Sequence, residues 1–254
     1  MNRIENFLKR IELDAEVELN LDFLGKVQSH AVTAIAYENL DILEGKAIKL
    51  DADSLYNKIV TRGRGGYCFE LNGLLAAMLR EMGFNVSERF SRYLRGENDV
   101  PMRRHRVVAV TMDDGDYMVD IGVGQIAPRF PLKIEEGLVQ EQNGETYKFM
   151  KDENHGWVLW DLHKGQWREY IAFNDDKTYD VDFEQPSFYC EKHPDSVFNK
   201  EPMIAIKTEK GRKTIDGRVY KEFVADELVY IEENISDERM AELLEKDFKL
   251  TPNK

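Results

Sequence analysis

The spacing of apolar residues changes near residue 84, and that change constrains the fold more than any other feature. Before it, apolar side chains recur at intervals of three and four. Ile4, Phe7, Leu8 and Ile11 form one stripe, and a second periodic run covers Leu19 to Ile35. Such spacing places apolar groups on one helical face. A short helix is expected from Ser54 to Val60, capped by Asp53 or Ser54. Leu71, Leu74, Leu75, Met78 and Leu79 make a further stripe, which Gly83 stops. After residue 84, short β-branched and aromatic runs alternate with turns. Val107-Val108-Ala109-Val110 and Tyr117-Met118-Val119-Asp120-Ile121 flank Asp114-Gly115, a hairpin signal. Trp157, Trp160 and Trp167 lie in further strand-like pieces. From about residue 186, strand-like pieces at 202–206 and 219–231 precede a closing helix near Ser236 to Phe248. The expectation is an α+β chain: a helical part over 1–84, a β part over 85–185 and a mixed part over 186–254.

A chain of 254 residues suits one compact unit with two or three lobes. Apolar residues are 42% and charged residues 33%, a globular composition. The net charge of −13 argues against nucleic acid as a partner, because phosphates require a basic field. No stretch approaches the roughly 20 apolar residues of a membrane span. Charges interrupt the first ten residues, so no targeting signal is read there and a cytoplasmic location is expected. Two cysteines do not make a disulfide framework. Together with the dispersed His30, His105, His155, His163 and His193 they give no metal-ligand spacing, so no metal is expected.

Cys68 follows Arg62-Gly63-Arg64-Gly65-Gly66-Tyr67 and stands at the start of the Leu71–Leu79 stripe. A helix start offers free N–H groups and partial positive charge, which stabilise a thiolate and an oxyanion. Glycines let the backbone pass close to a substrate. By itself this leaves two readings, a small buried hydrophobe or a nucleophile. Cys190 is read as a structural thiol.

A nucleophilic thiol needs a base. His105 opens a β run and Asp120 lies in the next one. With Asp114-Gly115 as a two-residue loop, pairing puts Asp120 opposite Ala109, on the face that carries His105. Four residues then separate the two side chains along the strand. A carboxylate beside the imidazole would fix its tautomer and stabilise its charged form. A triad of this kind serves acyl transfer, hydrolysis and transglutaminase-like chemistry alike.

Arg64-Gly65-Gly66-Tyr67-Cys68-Phe69-Glu70-Leu71-Asn72 resembles the active-site motif of the arylamine N-acetyltransferases. Ile35-Ala36-Tyr37-Glu38-Asn39-Leu40-Asp41 resembles that family's N-terminal segment. Asp120-Ile121-Gly122-Val123-Gly124 and Pro194-Asp195-Ser196-Val197-Phe198 resemble later landmarks, in family order. The resemblance implies a cysteine-protease-like helical domain, a β-barrel domain and a C-terminal α/β lid. It implies a Cys68-His105-Asp120 triad and acetyl-CoA as donor. The acetyl group would pass through Cys68 to an aromatic amine or hydrazine. It implies an ion pair of Glu38 with Arg64 bracing the site, and Tyr37, Phe69, Val123 and Phe198 at the acceptor.

Three departures bear on specificity. Ala36-Tyr37 replaces the family's Pro-Phe, and Val123 replaces an aromatic. Met102-Arg103-Arg104 precedes His105 in place of small or hydroxyl residues. Arg89, Arg92, Arg95, Arg103, Arg104 and Arg106 fall within 18 positions of an acidic chain. Guanidinium forks suit phosphate, so Arg103 and Arg104, with Gly124, are the expected coenzyme A contacts. The alternative for the arginines is a solvated loop with Glu88, Glu97 and Asp99 as counter-charges.

Overall fold

The computed structural model describes residues 2–97 and 99–251. The first lobe holds α1 (Arg3–Arg10), α2 (Leu21–Ala34), α3 (Leu40–Leu43), α4 (Ala52–Tyr56) and α5 (Cys68–Met82). Asn20 caps α2 by accepting from the Phe23 N–H at 2.8 Å. The cap of α4 is Asp51, not Asp53 or Ser54. Asp51 has extended backbone and accepts from the Ser54 N–H at 2.9 Å, whereas Asp53 already lies in the first turn. After α4 the helix widens into a π turn over Asn57–Thr61.

Helix α5 is the spine of this lobe. Leu71, Leu74, Leu75, Met78 and Leu79 are fully buried against α1, α2 and one face of the following sheet. Gly83 ends the helix at φ 103°, a conformation that costs glycine nothing.

Strands β1 (Asn85–Tyr93), β2 (His105–Met112), β3 (Gly115–Val119), β4 (Leu132–Lys133), β5 (Val139–Gln142), β6 (Glu145–Asp152), β7 (Gly156–His163) and β8 (Gln166–Phe173) follow. They form one antiparallel sheet in the order β4-β3-β2-β1-β8-β7-β6-β5. The sheet curls until the β4–β5 connection meets β6, where the Gly137 N–H donates to the Phe149 carbonyl at 2.8 Å. The barrel is nearly closed. Val107, Met118, Phe149, Tyr170 and Ile171 fill its interior. Val108, Val110 and Val119 face outward onto α5, which is why β2 is buried on both sides.

Helix α6 (Glu184–Lys192) leads into the third lobe, and the 185/186 division drawn from the sequence falls inside it. That lobe is a meander, β9 (Met203–Lys207), β10 (Gly211–Asp216), β11 (Val219–Val224) and β12 (Glu227–Glu232), closed by α7 (Asp237–Lys246). The segment around Tyr37 ties the lobes together. Tyr37 exchanges backbone bonds with Ala205 of β9 at 2.8 and 3.0 Å, and the Glu38 N–H donates to the Gly66 carbonyl at 2.9 Å. No helix among the described residues is long and apolar enough to cross a membrane.

Candidate active site

Cys68 is the first residue of α5. Tyr67 before it is extended, and its N–H donates to the Glu70 carboxylate at 3.2 Å, which fixes where the helix begins. Glycine is required on the approach. A Cβ at Gly65 would stand 2.2 Å from the Ala36 carbonyl oxygen, blocking the Tyr37 segment. The Cys68 thiol is buried and contacts the Arg104 carbonyl oxygen at 3.6 Å. Burial pushes this thiol well up, and nearby Cys190 and Asp120 push the same way; the Phe69 N–H at the helix start opposes them. Position at a helix start therefore does not by itself leave a resting thiolate here.

His105 and Asp120 are in contact. His105 Nε2 lies 2.6 Å from Asp120 Oδ2, both side chains buried. The strand register explains how. The hairpin loop is Asp113-Asp114, and Gly115, at φ 132°, already pairs with Met112. The two-residue loop thus lies one position earlier than Asp114-Gly115. Val119 pairs with Val108, so Asp120, just past the ladder, stands by Val107, two residues from His105 rather than four.

Asp120 is held on its other side. Oδ1 accepts from the Asn72 amide at 2.9 Å and from the Gly122 N–H at 2.7 Å. Asn72 also donates to the Arg106 carbonyl at 2.5 Å and accepts from the Ile121 N–H at 3.0 Å. This one side chain locks the start of β2 and the end of β3 to the helix that Cys68 begins. Sequence reasoning passed over it. The signal was its spacing: Asn72 is four residues after Cys68, on the same helical face. Gly122 completes the joint, since a Cβ there would lie 2.9 Å from the Cys68 Cα.

Cys68 and His105 open onto a cavity of about 310 Å³. Tyr37, Val123, Gly124, Phe198 and Arg104 also line it, with Met203, Ala205 and Thr214 from the third lobe. Gly124, at φ 61°, lies against the Tyr37 ring. Two expected contacts lie elsewhere. Phe69 is fully buried and packs edge-on against Tyr67 and beside Phe183. Arg103 lines an adjoining open groove with Met102, Val181 and Tyr189, and pairs with Asp176 at 3.2 Å.

The arginine run does not form one patch. Arg95 pairs with Asp161 at 2.5 Å and Arg104 with Glu97 at 3.5 Å. Arg106 is buried, bound to Glu88 and to Asp180 at 2.7 Å, with its guanidinium 4.3 Å from the Phe183 ring centre. Alternation along β2 sends Arg106 to the face opposite His105.

Glu38 and Arg64 do pair, at 3.6 Å, and both are buried. They belong to a larger network. Arg64 also meets Asp41 at 3.6 Å, and Lys58 bridges Asp41 at 2.9 Å and Glu70 at 2.8 Å. Burial raises the Glu70 carboxyl to about 7 against the pull of Lys58. Lys58 and Asp41 were not foreseen, because lone charges in a helical segment read as solvated.

Fold and site together define an acetyltransferase. Residues 20–253 match the family model described as N-acetyltransferase. An arylamine N-acetyltransferase of Mycolicibacterium smegmatis is 33% identical over 219 residues, covering 84% of this chain and 79% of its own. The solved arylamine N-acetyltransferase of Salmonella typhimurium superposes with a TM-score of 0.94 at 26% identity, covering 100% of this chain and 93% of that one. That of Mycobacterium marinum, solved in complex with CoA, gives 0.91 at 31%, covering 98% and 93%. The chain belongs to the arylamine N-acetyltransferase family.

Proposed function

We propose that this enzyme transfers acetyl from acetyl-CoA to an aromatic amine or hydrazine in ping-pong order, through a thioester on Cys68. The observation that carries the reading is the buried 2.6 Å contact of His105 with Asp120 beside a cavity that Cys68 also lines. With Nε2 engaged by Asp120, Nδ1 is the ring nitrogen left for the thiol. Because burial holds the thiol protonated, activation comes from His105 taking its proton as Sγ attacks. The Sγ–acetyl bond forms, the bond to the coenzyme sulfur breaks, and His105 returns the proton to the leaving thiolate. The amine then attacks the thioester, His105 takes its proton, and the Cys68 thiolate leaves and receives that proton from His105, restoring the resting thiol. The Cys68 and Phe69 N–H groups, at the first turn of α5, are the oxyanion donors, the Phe69 N–H turning to the oxyanion from the thiol that it contacts at rest. A relative solved in complex with CoA supports the donor.

Arg104 and Gly124, on the cavity wall, are the proposed coenzyme contacts, with Arg103 at the groove beside them. Changing Arg103 and Arg104 together to alanine should raise the Michaelis constant for acetyl-CoA; an unchanged constant removes that assignment. Tyr37, Val123 and Phe198 are proposed to hold the acceptor ring, with Phe69 supporting them from behind. Steady-state rates at varied donor and acceptor concentrations test the order of transfer. Parallel double-reciprocal lines are expected, and intersecting lines would contradict a free acetyl-enzyme.

A further inference from the structure

The start of β2 is paired on one side only. The ladder with β3 ends at Val108–Val119, so His105, Arg106 and Val107 bond to β1 alone. His105 is the outermost of the three, and the proposed reaction needs its ring within reach of Asp120 and Cys68 together. A strand end of this kind is held in place by contacts outside the ladder.

Arg106 stands next to His105, on the opposite face. In that row Val108 and Val110 pack onto α5, and an apolar residue is the ordinary occupant. Arg106 is instead the largest fully buried side chain among the described residues. Its guanidinium is fixed from three directions. Nε donates to Glu88 of β1, which Arg80 of α5 holds at 2.6 Å. Nη2 donates to Asp180, ahead of α6, at 2.7 Å. Nη1, buried without a hydrogen-bond partner, lies over Gly73 of α5, where a Cβ would stand 2.8 Å from it. The Arg106 carbonyl accepts from the Asn72 amide at 2.5 Å. Main chain and side chain of residue 106 thus rest on positions 72 and 73 of the helix that Cys68 begins.

Stability gives little reason for a charge here. Replacing a buried ion pair by apolar side chains of similar volume often leaves a protein as stable or more so, and an unpaired buried N–H adds a cost. What a guanidinium supplies and an apolar chain does not is direction, from a planar fork with donors at fixed angles.

We propose that Arg106 is a positioning residue: anchored on Glu88, Asp180 and the face of α5 at Gly73, it sets the start of β2 so that His105 reaches Asp120 and Cys68 together. It touches no reacting atom and acts through His105. This rests on the acetyl-transfer reading above.

The test follows acetylation of Cys68 in a single turnover at saturating acetyl-CoA, together with the pH profile of Cys68 labelling by iodoacetamide. Arg106→Met roughly keeps the volume, leaves Glu88 paired with Arg80 and releases Asp180, already exposed, to solvent. It should slow acetylation by about 10- to 100-fold, the scale of a misplacement within 1 Å, with the acceptor's Michaelis constant unchanged. Labelling should shift to higher pH, towards the profile of a His105→Ala variant, which a loss of packing alone would not do. Gly73→Ala presses on Nη1 while keeping every charge, and alanine favours the helix. It should move both readings in the same direction, and it decides the matter if Arg106→Met does not fold. Arg106→Lys keeps the charge without the fork and should be nearly as slow as Arg106→Met. Unchanged acetylation and labelling in Gly73→Ala or in folded Arg106→Met would overturn the assignment. So would the wild-type rate in Arg106→Lys, which would leave Arg106 as a counter-charge only. The mass of wild-type Cys68 after donor exposure separates the two readings. An unacetylated Cys68 contradicts acetyl transfer itself, whereas an acetylated Cys68 with unaffected variants contradicts the role of Arg106 alone.

Discussion

Asn72 carries more of the site's geometry than its neutral side chain suggests. It joins Asp120, the Arg106 carbonyl and the Ile121 N–H, all buried. Asn72→Ala removes a partner from each of these groups, although Asp120 keeps the Gly122 N–H and His105, at a cost of about 1–3 kcal/mol. The expected outcome is a lower melting temperature and a lower kcat with little change in the acceptor's Michaelis constant. Asp120→Asn should reduce turnover by about 10³–10⁴-fold through the wrong tautomer of His105. The thiol gives a pH test. With its ordinary value near 9.0 raised by burial, Cys68 in a His105→Ala variant should be alkylated by iodoacetamide only at pH above that of a free thiol. The wild-type enzyme, with the imidazole present, should label at lower pH. Identical profiles for the two proteins would mean that His105 does not take the proton.

At the scale of elements, much of the site was legible and its precision was not. The apolar stripe from Leu71 to Leu79 and the Gly83 stop locate α5, and with it Cys68 at a helix start. Hairpin chemistry located β2 and β3 but misplaced the loop by one residue, because Gly115 serves as the first strand residue instead of closing the turn. That single step decides whether His105 and Asp120 meet. Strand β10 was unreadable, since Gly211-Arg212-Lys213-Thr214 has no apolar alternation. Its burial comes from pairing with β9 and β11 and, at Gly211, from Arg129 on a distant loop. The charged network beneath α5 was hidden because lone charges read as solvated until the fold brings them together. It makes its own prediction. Glu70 titrates at about 7 in the folded protein, above its ordinary 4.5. The stability that its protonated form contributes is complete below pH 4.5 and lost as pH rises through about 7. Glu70→Gln should flatten the dependence of melting temperature on pH in that window; an unaltered slope would show that Glu70 stays ionised throughout.

In the whole molecule, the cavity onto which Cys68 and His105 open lies where three lobes meet. Residues 36–38 bond to Gly66 on one side and to Ala205 on the other, so the cavity wall and the loop before Cys68 are fixed by one extended segment. Ala205→Pro removes the N–H that donates to the Tyr37 carbonyl at 3.0 Å. It should weaken acceptor binding more than acetylation of Cys68, because Cys68, His105 and Asp120, the proposed triad, stand only on α5, β2 and the end of β3. The central claim is that Cys68 carries the acetyl group between donor and acceptor. The most direct measurement is the mass of the protein and its Cys68 peptide after acetyl-CoA alone, and again after an aniline is added. One acetyl group on Cys68, lost on addition of the amine and absent in Cys68→Ala, is the predicted result. An unmodified Cys68 in a protein that still acetylates the amine would contradict it.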